Sequence, residues 1–410
     1  MFLLLLLIVY LFLRRTDRRS LAYYFSLIIL ISLIGNLFVK ANYYVSTSDI
    51  LHCIWILVVF ACLILPWRGY AGIQEITCLN HNRVKKVSIV LVVFLMVLLV
   101  GCSVLAYYTI TLVDDINRFK YVDGPTEFYY SLGISVRPFM LATYFYPLSY
   151  LMVPLHFYFL SKGEKKMSFW CFLASLVSIA YGLTYFSRAH LIHYILIYVA
   201  SYWLLRDTIT PKDKKLIKKV ILIGSIALLS YFVVISSIRF VDHDYSTRND
   251  TYISDNSMIN SMFDYLVMWW NNSEVLFSRF KWSTLNGQMA LQDVNRFLSL
   301  VGINIGASGQ DLMHARELVL GEYAGSFIGA GGYFLYDFGP FFAFIILLVY
   351  ASFVNKLKPQ GGVITINRLL TISVLSLLPI FAIFYSLLNV VLILLLLLIP
   401  IQFFINIKNG

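Results

Sequence analysis

The chain has 410 residues, of which 60% are hydrophobic and 13% are charged, and its mean hydropathy is +0.78. A soluble globular domain of this size cannot remove so much apolar surface from water, so the composition excludes one. The apolar runs are continuous rather than alternating, which excludes an all-β membrane protein. The formal net charge is +11. The sequence therefore predicts an all-α polytopic membrane protein.

Apolar runs long enough to cross a bilayer recur along the chain, since a hydrocarbon core of about 30 Å needs roughly 20 residues of helix. We predict about eleven transmembrane helices, at 2–13, 20–39, 50–67, 87–113, 140–161, 168–186, 189–205, 220–238, 339–354, 369–386 and 389–407. The first run is followed, not preceded, by its arginines, which is the reverse of a cleavable signal peptide. We expect it to be retained as a span.

The connections between these spans alternate in charge. Those rich in Lys and Arg are 14–19, 68–86, 162–166, 206–219, 356–368 and residue 408. Those that carry fewer basic residues and most of the acids are 40–49, 114–139, 187–188, 239–338 and 387–388. By the positive-inside rule the first set is cytoplasmic. The N-terminus is then outside, the C-terminus is cytoplasmic, and the long 239–338 connection is outside.

Residues 239–338 form a large outer loop, inserted before the last three spans of what we predict to be one integral membrane domain, residues 1–410. Apolar residues recur there at helical spacing, which predicts an amphipathic helix at the membrane interface around Ile259 to Trp270. A second helical segment runs from Leu291 to Val301. A third, Asp311 to Leu320, carries His314 and Arg316. Frequent glycines in the remainder predict short helices re-entering toward the membrane.

Arginine dominates the basic residues of the outer side. Five of the six basic residues in the loop are Arg239, Arg248, Arg279, Arg296 and Arg316. A guanidinium group is a planar donor that binds phosphate oxygens through two hydrogen bonds and keeps its charge. The outer side therefore has the composition of a phosphate-binding surface.

Two further positions sharpen that prediction. Arg188 lies at a short outer turn between two spans, and Arg239 lies at the outer end of the eighth span. Two arginines at the outer ends of neighbouring spans can converge on one diphosphate. We take Arg188, Arg239, Arg248 and Arg316 as candidate diphosphate ligands. The alternative for Arg188 is an interface arginine whose charge reaches the headgroups.

Two residues of the loop could accept a proton from an attacking hydroxyl. Glu322 lies just before the chain re-enters the membrane, where an idle carboxylate is costly, and His314 lies earlier. The alternative for His314 is a solvated helix histidine. His190 and His193 lack a nearby carboxylate or thiol, so we expect them to pack rather than to bind a metal.

The chain resembles the oligosaccharide repeat-unit polymerases, the Wzy-type O-antigen or capsule polymerases of bacteria, which are relatives of the O-antigen ligases. The resemblance lies in the many spans, the large outer loop before the last few, and the outer turn bearing Ser187-Arg188. Locally it lies in Gly321-Glu322-Tyr323 followed by the aromatic-Asp-Phe-Gly sequence that ends at Gly339.

The resemblance implies a GT-C-like membrane glycosyltransferase that needs no metal or other cofactor. It implies undecaprenyl-diphosphate-linked glycans as donor and acceptor, polymerised on the outer face of the bacterial inner membrane. Arg188 and Arg239 match the arginines that bind the diphosphate in the ligases. Glu322 stands nearest the position of the ligases' catalytic histidine, a departure that leaves Glu322 and His314 both open as the base.

The same resemblance makes Tyr323 and Asp337 candidate glycan-binding residues. Expected partners are membrane lipids and a chain-length regulator, with no nucleic acid. The alternatives are an O-antigen ligase or another glycosyltransferase using lipid-linked sugars, and a polysaccharide transporter or flippase. A transporter predicts internal repeats and charges within the spans. A non-catalytic membrane protein would tolerate Ala at the arginines.

Overall fold

The structure is a computed structural model that describes residues 2–37, 47–119, 124–240, 257–307, 309–321 and 327–406. In chain order the helices are α1 (Phe2–Arg15), α2 (Leu21–Asn36), α3 (Thr47–Ile64), α4 (His81–Leu112), α5 (Ile116–Arg118), α6 (Gly124–Ser131), α7 (Arg137–Phe145), α8 (Leu148–Ser161), α9 (Lys165–Ser175), α10 (Val177–Leu183), α11 (Arg188–Leu205), α12 (Pro211–Phe240), α13 (Ser257–Ser278), α14 (Gln288–Ser299), α15 (Gly309–Leu320), α16 (Gly329–Lys356), α17 (Ile366–Leu375), α18 (Leu377–Phe381) and α19 (Leu388–Asn406). Two short strands, β1 (Glu75–Thr77) and β2 (Val363–Thr365), pair in parallel.

The helical membrane-protein class is supported by the lengths and compositions of the helices. Within the described ranges, six helical segments are long and apolar enough to cross a membrane: Ile50–Gly69, His81–Leu112, Lys165–Leu183, Pro211–Ile235, Gly329–Lys356 and Leu388–Asn406. Three shorter apolar helices are Leu21–Asn36, Leu148–Ser161 and Ile366–Phe381. Each predicted span coincides with one helix or with two consecutive helices. The total of eleven spans stays a prediction.

One predicted span is broken where proline removes a backbone donor. The span predicted at 369–386 divides into α17 and α18, and Pro379 lies in α18. In a continuous helix the carbonyl of Leu375 would accept a hydrogen bond from residue 379, but proline has no N–H. The hydroxyl of Tyr350 donates to that carbonyl instead, at 3.1 Å. The break is thus filled by a side chain from α16.

The chain folds into two compact units, which subdivide the single predicted domain. Unit 1 comprises Met1–Gly72, Asp244–Pro359 and Leu375–Ile393. In its core α13 packs on α2 and α3, and α16 packs on α3. Trp269 of α13 is buried, donates to Ser32 Oγ at 2.7 Å and packs against the ring of Phe60. The loop predicted to lie outside therefore sends its first helix into the helical core.

Unit 2 comprises Ile73–His243, Gln360–Val374 and Leu394–Gly410, and includes β1, β2 and all of α4 to α12. The most extensive helix pairings are α8 with α9 and α4 with α10. His156 of α8 and Ser168 of α9 share a hydrogen bond of 2.9 Å, and the hydroxyl of Tyr198 lies 3.1 Å from the other ring nitrogen of His156. These contacts satisfy polar groups that the membrane core would leave without water.

Contacts between connections agree with the predicted alternation of sides. In unit 2, β1 and β2 join the 68–86 and 356–368 connections. Glu164 binds Lys85 at 2.7 Å, and Lys165 lies 3.7 Å from Asp213. In unit 1, the guanidinium of Arg68 lies 4.4 Å from the ring centroid of Phe12. Each of these contacts joins connections that the charge pattern assigns to the cytoplasmic side, or the end of a span beside one.

The other set of connections is also joined by contacts. In unit 2, the hydroxyl of Tyr129 donates to the carbonyl of Thr184 at 2.7 Å. In unit 1, the amide of Asn389 donates to Asp293 at 2.8 Å. These contacts join connections that the charge pattern assigns to the outside, or residues next to them. The sorting into two sides, the identity of the membrane and the orientation of the termini all stay predictions.

Candidate functional site

The candidate site in unit 1 lies beside a break in α16. Gly339 has φ 72° and ψ 165° and is followed by Pro340. In a continuous helix the carbonyl of Tyr336 would accept from residue 340, which has no N–H. That carbonyl accepts from Leu285 at 2.9 Å instead, and the carbonyl of Asp337 accepts from Gly287 at 2.8 Å. The segment before α14 is thereby fastened to α16.

The side chain of Asp337 adds a helix cap where the segment before α14 meets α16, a contact that we call the α14–α16 junction. Asp337 is only 3% exposed, and its two carboxylate oxygens accept from the backbone N–H groups of Met289 at 3.1 Å and Ala290 at 2.9 Å. The N-cap residue of α14 is Gly287, which has no side chain to do this. A carboxylate at a helix N-terminus is favoured by hydrogen bonding and by the helix dipole. Asp337 therefore positions α14, and glycan binding by Asp337 stays a prediction.

A cavity of about 230 Å³ lies beside this junction. We call it the α14–α16 cavity. Its lining residues come from α14, α15, α16 and the segment that opens α19, and they are Met289, Ala290, Gln292, Arg316, Tyr333, Phe334, Asp337, Phe338, Tyr385, Ser386, Leu387, Leu388 and Asn389. Among the described residues that line it, Arg316 is the one cation. Phenol, hydroxyl, amide and guanidinium groups thus share one small cavity with aromatic rings.

Arg316 and His314 are separated by the geometry of α15. Residues two apart on an α-helix point about 200° apart, so they cannot share a face. Arg316 is half-buried and lines the cavity, whereas His314 is exposed and is not among the lining residues. Of the predicted site residues, the structure therefore brings Arg316 and Asp337 together. Glu322, Tyr323 and Arg248 lie outside the described residues.

Asp293 is a functional candidate that the sequence did not single out. Its carboxylate accepts from the amide of Asn389, which lines the cavity, and lies 3.9 Å from Arg296. Burial raises the pKa of Asp293, and the opposing effects of Arg296 and of the Asn389 hydrogen bond are smaller. A carboxyl group with a raised pKa one hydrogen bond from a cavity is a candidate proton acceptor.

The pattern of α14 could not have identified Asp293. It is the only acid in a strongly amphipathic helix, a feature that equally describes a solvated face. The decisive partner, Asn389, follows 96 residues later, in a different segment of the chain.

Arg188 lies in unit 2, at the first residue of α11. It is 4% exposed, and its guanidinium carbon lies 5.0 Å from the ring centroid of Phe232 on α12, which is a cation–π contact. The preceding Ser187 lies 2.9 Å, through its hydroxyl, from Nδ1 of His190. The turn before α11 thus holds a buried cation on an aromatic face, beside a histidine bonded to a serine.

Arg239 belongs to the last turn of the same helix that carries Phe232. Seven residues separate the two positions, which is about 10 Å along an α-helix. The side chain of Arg239 lies outside the described part of the structure. Convergence of Arg188 and Arg239 on one diphosphate therefore stays a prediction.

His190 and His193 face one another within an aromatic cluster. Their ring centroids are 5.7 Å apart, and the hydroxyl of Tyr185 lies 3.1 Å from Nδ1 of His190. Tyr146 and Tyr181 stack beside them at 4.9 Å. Across the described ranges, no group of three or more His, Cys, Asp or Glu residues is arranged to hold a metal ion. The packing expected for this pair agrees with these contacts.

No protein-family model, curated protein or solved structure matches the chain.

Proposed function

We propose that the chain is a repeat-unit polysaccharide polymerase of the Wzy type, which joins undecaprenyl-diphosphate-linked glycans on the outer face of the bacterial inner membrane. The observation that carries the proposal is the chemistry of the α14–α16 cavity. Arg316 supplies a permanent cation, and polar groups surround it at Gln292, Tyr333, Ser386 and Asn389. Guanidinium groups bind phosphate oxygens, and the hydroxyl and amide groups suit the hydroxyls of a sugar.

The size of the cavity limits what it holds. At about 230 Å³ it is smaller than the roughly 300–1,000 Å³ of sites for drug-sized ligands. It suits a single sugar–phosphate moiety of a lipid-linked substrate rather than a whole repeat unit. Tyr333 and Tyr385 add aromatic rings to the lining, and aromatic rings suit the apolar side of a sugar ring.

The proposed reaction is a glycosyl transfer between two lipid-linked substrates. The oxygen of the acceptor hydroxyl bonds to the anomeric carbon of the donor, and the bond from that carbon to the diphosphate breaks. The lipid diphosphate leaves with the bonding electrons, and cationic groups stabilise the charge that it gains. In the α14–α16 cavity we assign this role to Arg316. Arg188, Arg239 and Arg248 stay the other candidates that the sequence gives for diphosphate binding.

The proton of the acceptor hydroxyl passes to a carboxylate or an imidazole. Glu322 and His314 are the bases favoured by the sequence, and Asp293 joins them because of its raised pKa and its bond to Asn389. A base must come within hydrogen-bond reach of the hydroxyl in the complex. Single substitutions Glu322→Gln, His314→Gln and Asp293→Asn separate the three.

The test is a gel of surface polysaccharide from cells that lack the unmodified protein and carry either the Arg316→Ala variant or a control variant. Arg279→Ala is the matched control, because Arg279 is an exposed arginine of the same loop that does not line the cavity. We expect Arg316→Ala to abolish the polymer ladder while single repeat units remain, and Arg279→Ala to keep the ladder. Equal membrane levels of the two proteins exclude a loss of folding.

Other outcomes of that gel reject the proposal. A full ladder from Arg316→Ala would remove the role of the cavity. Loss of single units together with long chains would indicate a ligase, because a ligase transfers both. Accumulation of lipid-linked units on the cytoplasmic side would indicate a flippase.

A further inference from the structure

A long groove runs along one face of α4 in unit 2. Its volume is about 1240 Å³, and α9 forms its other side. The α4 residues that line it are Lys85, Ile89, Val92, Val93, Met96, Val97 and Val100. These positions recur at intervals of three and four, so they form a single stripe on the helix. Met167 and Trp170 of α9 face them.

The floor of this groove is apolar and open. Val93 is 59% exposed and Val97 is 69% exposed. From Ile89 to Val100 the stripe extends about 16 Å at 1.5 Å per residue, which matches the roughly 15 Å depth of one leaflet of a hydrocarbon core. An acyl chain of one leaflet could therefore contact this stripe along its full depth.

The mouth of the groove is cationic. Lys85, Lys165 and Lys166 line it together with one acid, Glu164. Glu164 is engaged by Lys85 at 2.7 Å and by His81, and its hydrogen bond to Lys85 holds its pKa below the ordinary value. Lys165 is 3.7 Å from a second acid, Asp213, which does not line the groove. Three lysines and one acid thus line the end of this apolar groove, and Asp213 lies behind Lys165.

We propose that this groove binds an anionic phospholipid, with its phosphate at Lys165 and Lys166 and an acyl chain along Val93 and Val97. Clustered lysines at the end of an apolar helix face attract anionic headgroups. A zwitterionic lipid fits less well, because its own cationic group meets the lysines. The mouth belongs to connections that the charge pattern assigns to the cytoplasm, so the lipid comes from that leaflet. The site is independent of the proposed polymerase reaction.

The first test measures binding of dioleoyl phosphatidylglycerol to the full-length protein in detergent, by native mass spectrometry, against dioleoyl phosphatidylcholine. We expect the phosphatidylglycerol complex to dominate. Lys165→Gln with Lys166→Gln should weaken it about 25-fold, at about fivefold per lysine. Lys218→Gln with Lys219→Gln is the matched control, since both lysines are exposed on α12 and neither lines the groove. The control should bind as the unmodified protein does.

A second pair of variants tests the apolar floor without changing charge. Val97→Trp fills the groove, whereas Val90→Trp adds the same bulk at a position on α4 that is equally exposed, at 69%, and lies off the groove. We expect Val97→Trp to lose phosphatidylglycerol and Val90→Trp to retain it. Equal binding by these two variants, equal binding of both lipids, or retention of a polyprenyl lipid instead would overturn the proposal.

Discussion

The carboxylate of Asp337 accepts a hydrogen bond from the backbone N–H of Ala290 at 2.9 Å, across 47 residues of sequence. The same side chain lines the α14–α16 cavity. One buried acid therefore joins the start of α14 to the broken helix α16, and both helices contribute walls to the cavity. The geometry of the candidate site depends on this junction.

Replacing Asp337 with Asn should loosen that junction. The carboxylate accepts from both Met289 and Ala290, whereas an amide offers one oxygen and turns an NH₂ group toward the second donor. Complete loss of a helix cap costs about 0.5–2 kcal/mol, so we expect the loss of one of the two hydrogen bonds to lower the Tm in detergent slightly. Glu317→Gln is the control, because Glu317 is an exposed acid on α15. An unchanged Tm for Asp337→Asn would show that the cap is dispensable.

Replacing Gly339 with Ala tests the break in α16. Gly339 has φ 72° and ψ 165°, a backbone region that is essentially restricted to glycine and costs an L-residue about 1–3 kcal/mol. We expect Gly339→Ala to lower the Tm and to reduce polymer, since the carbonyls of Tyr336 and Asp337 would lose their alignment with Leu285 and Gly287.

The control for that substitution is Gly224→Ala in α12. Gly224 lies inside a helix, and an added Cβ meets no atom within 4 Å. Because Ala is the better helix former, we expect Gly224→Ala to keep or raise the Tm. A Tm that falls equally in both variants would contradict a special role for the Gly339 conformation.

The raised pKa of Asp293 predicts that its contribution to stability falls as pH rises. Burial raises its folded pKa, so the folded protein binds this proton more tightly than the unfolded chain does. The stability gained is fully present below the ordinary pKa of about 3.9 and is lost as pH rises through the raised value. We therefore expect the Tm of Asp293→Asn minus that of the unmodified protein to become more positive as pH rises over this window.

Glu164 supplies the matched control, because its shift has the opposite sign. Lys85 lowers the folded pKa of Glu164, so its contribution is present above the ordinary pKa and is lost as pH falls. The Tm of Glu164→Gln minus that of the unmodified protein should become more negative as pH rises. Differences that stay constant with pH, or that share one sign of slope, would contradict these assignments.

The apolar helices of this protein are predictable from its sequence, because the signal for a membrane span lies in about 20 consecutive residues. The strands β1 and β2 were not predicted, since three residues are too few to show a pattern. The break at Gly339 has a local signal in the following Pro340. Its consequence, the capture of Leu285 and Gly287, depends on tertiary contact.

The candidate site was only partly predictable for the same reason. The composition of the outer loop singles out Arg316, but Gln292, Tyr333 and Asn389 reach the cavity from three separate segments. The residue pattern of a single segment cannot predict that side chains of separate segments line the same cavity. The spacing of Arg316 and His314 does predict one feature of the site. The two residues are two apart on a helix, so their side chains cannot face the same cavity.

Two variants can distinguish a packing role of Arg188 from a role in substrate binding. Its guanidinium stacks on Phe232, a contact worth about 2 kcal/mol when desolvated. Arg188→Lys keeps the charge but loses the planar group, and Phe232→Leu keeps the guanidinium but loses the ring. If Arg188 binds the diphosphate, we expect Arg188→Lys to abolish polymer and Phe232→Leu to retain it at a similarly lowered Tm. Polymer levels that follow the Tm equally in both variants would limit Arg188 to a packing role.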